Sequence, residues 1–95
     1  MPDSSDTSPA VTVRVVYLAR LREAFASGGE SLTLRGEAPT VGAVIASLRA
    51  RGGAWASELA AGRAVRYAVN HEVAPVEAAL RDGDELALLP PVTGG

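Results

Sequence analysis

The sequence predicts an α+β domain in which a mixed β-sheet wraps around one main helix. Short runs rich in β-branched and aliphatic residues occur at 11–18, 30–35, 65–70 and 85–89, the period-two signature of strands. A helical stripe lies between the second and third runs, and Gly-Gly and Asp-Gly steps punctuate the chain. At 95 residues and 47% hydrophobic content there is room for one domain with its own core. Aromatic residues are only 4%, so that core must be largely aliphatic.

Taken in order, residues 1–10 (MPDSSDTSPA) offer almost nothing to bury and are expected to form a disordered leader. Residues 11–18 place Val11, Val13, Val15 and Tyr17 on one face, with Val16 and Leu18 on the other. A strand that is apolar on both sides is either central or awaits a partner. Residues 19–29 form a loop or short helical turn, and Leu32 and Leu34 point inward from the returning second strand. Thr40 is a plausible N-cap for a helix over 41–51, whose Val41, Val44, Ile45 and Leu48 recur at core-facing spacing. Gly52 and Gly53 stop it, and 55–60 form a second short helix ended by Gly62. A third strand over 65–70 turns through Asn70, His71 and Glu72 into a brief strand around Val73. After the turn at Arg81-Asp82-Gly83-Asp84 comes the last strand, 85–89. One helix held in such a sheet is the topology of β-grasp, ubiquitin-like domains.

Several chemistries are excluded by composition. There is no Cys, a single His (His71), and no Lys, all nine basic residues being Arg. A thiolate nucleophile, a Schiff-base lysine, a multi-histidine metal cage and self-conjugation through lysine are therefore impossible. Asp3 and Asp6 account for the net charge of −2; beyond them nine Arg face nine acids (9 − 9 = 0). A nucleic-acid binder would show a basic excess with aromatic stacking positions. No apolar run approaches the ~20 residues of a membrane span, so a soluble, cytoplasmic protein is expected.

The informative feature is the last segment. Pro90 and Pro91 stiffen the exit from the final strand, Val92 and Thr93 extend it, and Gly94 and Gly95 form an arm without side chains. Such an arm enters channels closed to any residue with a Cβ. A terminal carboxylate is ionised at neutral pH and a poor electrophile, so chemistry on it requires prior activation, for instance as an acyl-adenylate.

Three motifs carry a resemblance: VVYLARLRE at 15–23, AVN at 68–70, and LRDGDELALLPPVTGG at 80–95. Over roughly 11–95 the chain resembles the MoaD/ThiS sulfur carriers, most closely the small subunits of molybdopterin synthases. The resemblance implies a β-grasp fold and a tail whose Gly95 carboxylate, preceded by Gly94, is adenylated with ATP by an E1-like partner. Sulfur then replaces the activated oxygen to give a thiocarboxylate. The loaded tail enters a large synthase subunit and donates sulfur to cyclic pyranopterin monophosphate, with two carriers on a dimer of large subunits. This chain would bind no cofactor or metal itself. Leu18, Val73 and Leu89 match positions where the family presents an apolar face to that subunit, continued by Pro90, Pro91, Val92 and Thr93. Leu18, Val73 and Leu89 are also open to a plainer reading as core.

His71 departs from the polar, non-ionising residue of the family and is expected to be a solvated turn residue. Asp82, Asp84 and Glu85 lack the further oxygen ligands of a metal loop and are expected to form a turn and an acidic rim near the tail. Arg20 and Arg22 sit either on a partner-facing loop or simply on the surface. The alternatives are a related carrier for thiamine or cysteine synthesis, a ubiquitin-like modifier, and a non-catalytic β-grasp interaction module.

Overall fold

The computed structural model describes residues 10–36, 39–60 and 63–90. Residues 1–9 of the leader expected over 1–10, the Gly62 stop, and the tail residues Pro91, Val92, Thr93, Gly94 and Gly95 lie outside the described residues. The elements are β1 (Ala10–Tyr17), α1 (Arg20–Ala24), β2 (Gly29–Arg35), α2 (Val41–Arg49), α3 (Gly53–Glu58), β3 (Arg66–Val69), β4 (Glu72–Ala74) and β5 (Glu85–Leu89). The strands form one sheet in the order β2-β1-β5-β3-β4. β1 and β5 run parallel at its centre, and the other neighbours are antiparallel. This is the β-grasp arrangement. One expectation is corrected: Ala10, assigned to the leader, opens β1 opposite Arg35.

Period-two alternation decides which face of the sheet is covered. Val13, Val15 and Tyr17 of β1 and Leu86 and Leu88 of β5 are buried beneath Val41, Val44, Ile45 and Leu48 of α2. Thr40 caps α2 as its spacing predicts, its Oγ1 accepting from the Ala43 N–H at 3.2 Å. The helix closes two residues earlier than expected, and Gly52 then starts α3 at φ 78°, a conformation that favours glycine.

Three of the four aromatic residues meet at one end of this layer. Phe25 stacks on Trp55 at 3.9 Å between centroids, and Tyr17 stands edge-on to both, at 5.1 and 5.4 Å. The Tyr17 hydroxyl donates to Glu30 Oε2 at 2.6 Å. Arg51 grips the same carboxylate with both terminal nitrogens, at 2.9 and 2.8 Å, and lies 4.5 Å above the Trp55 ring. The Arg51 hydrogen bonds hold Glu30 below the usual carboxylate range. Burial, then the Glu30 bond, pushes the Tyr17 phenol well above its ordinary value.

β3 and β4 are joined by Asn70 and His71 at φ 50° and 75°, the left-handed pair of a tight two-residue hairpin. Asn70 ties this turn to the start of β5. Its Oδ1 accepts from the Glu85 N–H at 3.0 Å, and its Nδ2 donates to Asp84 Oδ1 at 3.0 Å.

Candidate docking face and the root of the tail

The face of the sheet away from the helices can be laid out from the strand registers. Leu18 continues β1, its N–H donating to the Leu88 carbonyl at 3.2 Å. Leu18, Leu89 and Arg66 therefore lie side by side across β1, β5 and β3. The next row contains Val16, Ala87, Ala68 and Val73. The row beyond contains Arg14, Glu85 and Ser31. The first two rows are thus apolar except for Arg66.

Exposure separates the two readings of the predicted apolar residues. Val73 is 73% exposed and Leu18 39% exposed, so neither belongs to the core. Leu89 is half-buried on this face, while Leu86 and Leu88, on the other face, are fully buried. Pro90 is half-buried directly beyond Leu89, at the root of the tail. The structure thus brings Leu18, Val73 and Leu89 together on one surface, with Pro90 following Leu89 at the end of β5. Val16, which the sequence places on the same face of β1 as Leu18, lies on this surface too, as do Ala68, Ala87 and Arg66, which the sequence alone did not single out for it. Their signal is cross-strand register, which one strand read alone does not contain.

Leu18 also opens a tight turn. Its carbonyl accepts from the Leu21 N–H at 3.1 Å, and Ala19 sits at φ 52°, ψ −130°, a region that costs an L-residue with a Cβ about 1–3 kcal/mol. This turn lifts the chain off the sheet immediately after Leu18 and leaves that side chain uncovered.

The acidic residues stand elsewhere. Asp82 Oδ1 accepts from the Thr12 N–H at 2.8 Å, and Asp84 Oδ2 accepts from the Arg81 N–H at 2.8 Å. The Arg81 N–H and the Asn70 amide lower the Asp84 pKa. All precede or open β5, whereas the tail leaves its far end, about 13 Å away at strand rise. The expected acidic rim near the tail is therefore corrected: these residues fasten the opposite end of the sheet. His71 is exposed in its turn, 3.8 Å from Glu85. Arg20 pairs with Glu58 of α3 at 2.7 Å, and Arg22 lies against Gly28.

Nothing among the described residues resembles a catalytic constellation. No group of three or more His, Asp or Glu side chains there could hold a metal, and no described helix is long and apolar enough to cross a membrane. The open depression beside Ala19, Arg22 and Ser27 holds a hydroxyl already turned onto Gly29, at 3.1 and 3.2 Å. The site is a surface and an exit point.

The ThiS family model matches residues 15–95. The chain is 36% identical over 83 residues to the molybdopterin synthase sulfur carrier subunit of Haemophilus influenzae, covering 87% of this chain and 99% of that one. Among solved structures it resembles SAMP1 of Haloferax volcanii, with a TM-score of 0.76 and 28% identity over 88% of this chain and 99% of that one. It also resembles a chain of the complex of subunits 1 and 2 of the molybdopterin-converting factor from Helicobacter pylori, with a TM-score of 0.57 and 26% identity over 90% and 100%. The chain therefore belongs to the MoaD/ThiS family of β-grasp sulfur carriers.

Proposed function

We propose that this chain is the sulfur-carrier subunit of a molybdopterin synthase. The observation that carries the reading is the convergence of Leu18, Val73 and Leu89 on one open sheet face that continues into Pro90, the root of the segment ending in Gly94 and Gly95. The face docks on a large subunit while the arm, through Pro91, Val92 and Thr93, reaches into that subunit's site. An E1-like partner attacks ATP with the Gly95 carboxylate, releasing pyrophosphate and leaving an acyl-adenylate. A sulfur nucleophile then displaces AMP to give the thiocarboxylate. The large subunit supplies the groups that pass this sulfur to cyclic pyranopterin monophosphate, and water adds to the carbonyl carbon as the C–S bond breaks, returning the carrier to a carboxylate. This chain contributes the sulfur-bearing atom and the docking surface.

A second reading as a protein modifier draws on the likeness to SAMP1, a small archaeal modifier protein, at a TM-score of 0.76. Neither fold nor identity separates the two readings, since a molybdopterin converting factor subunit 1 from Pyrococcus furiosus matches at a TM-score of 0.73 and 29% identity beside 0.76 and 28% for SAMP1, and side chains rather than backbone shape select a docking partner.

The test is the intact mass of the chain after incubation with ATP, sulfide and an E1-like activating enzyme, followed by addition of large subunit and pterin substrate. Replacement of one oxygen by sulfur, lost on deletion of Gly95, and subsequent molybdopterin formation are expected. Molybdopterin formation by the truncated chain would sink the proposal.

A further inference from the structure

Resting on that reading, we propose that Arg66 is a specificity-determining residue of the docking face, pairing with a carboxylate that the partner presents beside the entrance for the tail. Arg66 is the cross-strand neighbour of Leu89, the last residue of β5 before Pro90. A partner that covers Leu89 must also cover at least the stem of Arg66.

Among the described residues, nothing neutralises the guanidinium. Arg20, Arg51 and Arg63 are each paired with Glu58 or Glu30. Arg66 is exposed, and its side chain has no hydrogen bond or ion pair among the described residues. Its neighbours on this face are Leu89 and Ala68. Glu85, the acid on the same face, lies four residues back along β5, about 13 Å from Leu89, and faces Arg14 across the β1–β5 register. Arg66 is thus the uncompensated charge in the two apolar rows.

Removing an unpaired guanidinium from water is strongly unfavourable, so a partner without an acceptor at this point is rejected even where its apolar surface fits. A carboxylate meets the planar fork with two parallel hydrogen bonds and fixes the register of the two surfaces. Arg66 does not serve the reaction itself. Gly95 lies six residues beyond Leu89, enough for the arm to extend up to about 20 Å from the docking face.

The experiment is calorimetric titration of the large synthase subunit with wild-type chain and the variants Arg66→Leu, Arg66→Lys, Arg66→Glu and Leu89→Asp, at two salt concentrations. Thermal melts accompany each variant. Arg66→Leu and Arg66→Glu are expected to bind at least about 30-fold more weakly, the loss on stripping one partner from a buried charge pair, with unchanged melting. Arg66→Lys should restore some of the affinity, and Arg66→Leu should flatten its salt dependence. Arg66→Leu binding as tightly as wild type, while Leu89→Asp does not bind, would overturn the role of Arg66 and leave the docking face standing. Full binding by Leu89→Asp, or no binding by wild type, would overturn the functional reading and this proposal with it.

Discussion

Replacing Tyr17 by Phe isolates one bond of the Tyr17–Glu30–Arg51 network and gives a magnitude that the geometry sets. The ring is 1% exposed and keeps its place against Phe25 and Trp55, so the substitution removes only the hydroxyl and its 2.6 Å bond to Glu30. A hydrogen bond to a charged group contributes about 1.5–3 kcal/mol net. Glu30 keeps its two bonds from Arg51 and some contact with water, its side chain being 28% exposed. The loss should therefore fall at the lower end, about 1.5 kcal/mol. Removing the carboxylate instead, with Glu30→Ala, strands the buried hydroxyl and also releases Arg51. The Arg51 side chain is 35% exposed, so that ion pair adds no more than about 1 kcal/mol, and the total should be about 2–4 kcal/mol. In the double variant the hydroxyl is no longer stranded, so the two losses should fall short of additivity by about 1 kcal/mol. Urea unfolding followed by the fluorescence of Trp55, which stacks within this cluster, measures all three. A Tyr17→Phe loss below about 0.5 kcal/mol, or strict additivity, would refute the reading of this bond as a net contributor to stability.

The same network gives a sign for pH. Glu30 is depressed in the folded state, chiefly by Arg51. Its contribution is thus present above the ordinary glutamate value, about 4.3, and fades as pH falls through the folded value; urea midpoints should drop on acidification, and less so in Glu30→Gln. Ala19→Gly should stabilise the fold by up to about 1 kcal/mol, because glycine carries no penalty at φ 52° beyond its own unfolded-state entropy; a lower melting temperature would count against strain at that turn. Gly29→Ala should cost about 1–3 kcal/mol, since a Cβ there would stand 2.6 Å from the Val15 carbonyl oxygen; an unchanged melt would show that β2 shifts freely.

The regions of this fold legible in the sequence are those whose signal is local. The stripe Val41, Val44, Ile45 and Leu48 and its Thr40 cap lie within nine residues, and all four apolar members are buried. The alternation in 85–89 separates Leu89 from Leu86 and Leu88 in the same way. What escaped depends on contacts distant along the chain. Tyr17, Glu30 and Arg51 form one network only because β1, β2 and the turn after α2 converge. Arg66 becomes a neighbour of Leu89 only once the β3–β5 register is set. The misplaced acidic rim has the same origin: Asp84 is near Leu89 in sequence, but an extended strand carries the two to opposite ends of the sheet.

The placement of β5 has a mechanical consequence. This strand is bonded to β1 on one side and β3 on the other, and the tail continues from its end. A pull on Pro90 along the strand axis loads both ladders in shear, whereas the same pull on an edge strand would load only one. Pulling from this end should therefore require a larger rupture force than peeling β2 or β4 from the sheet's margins.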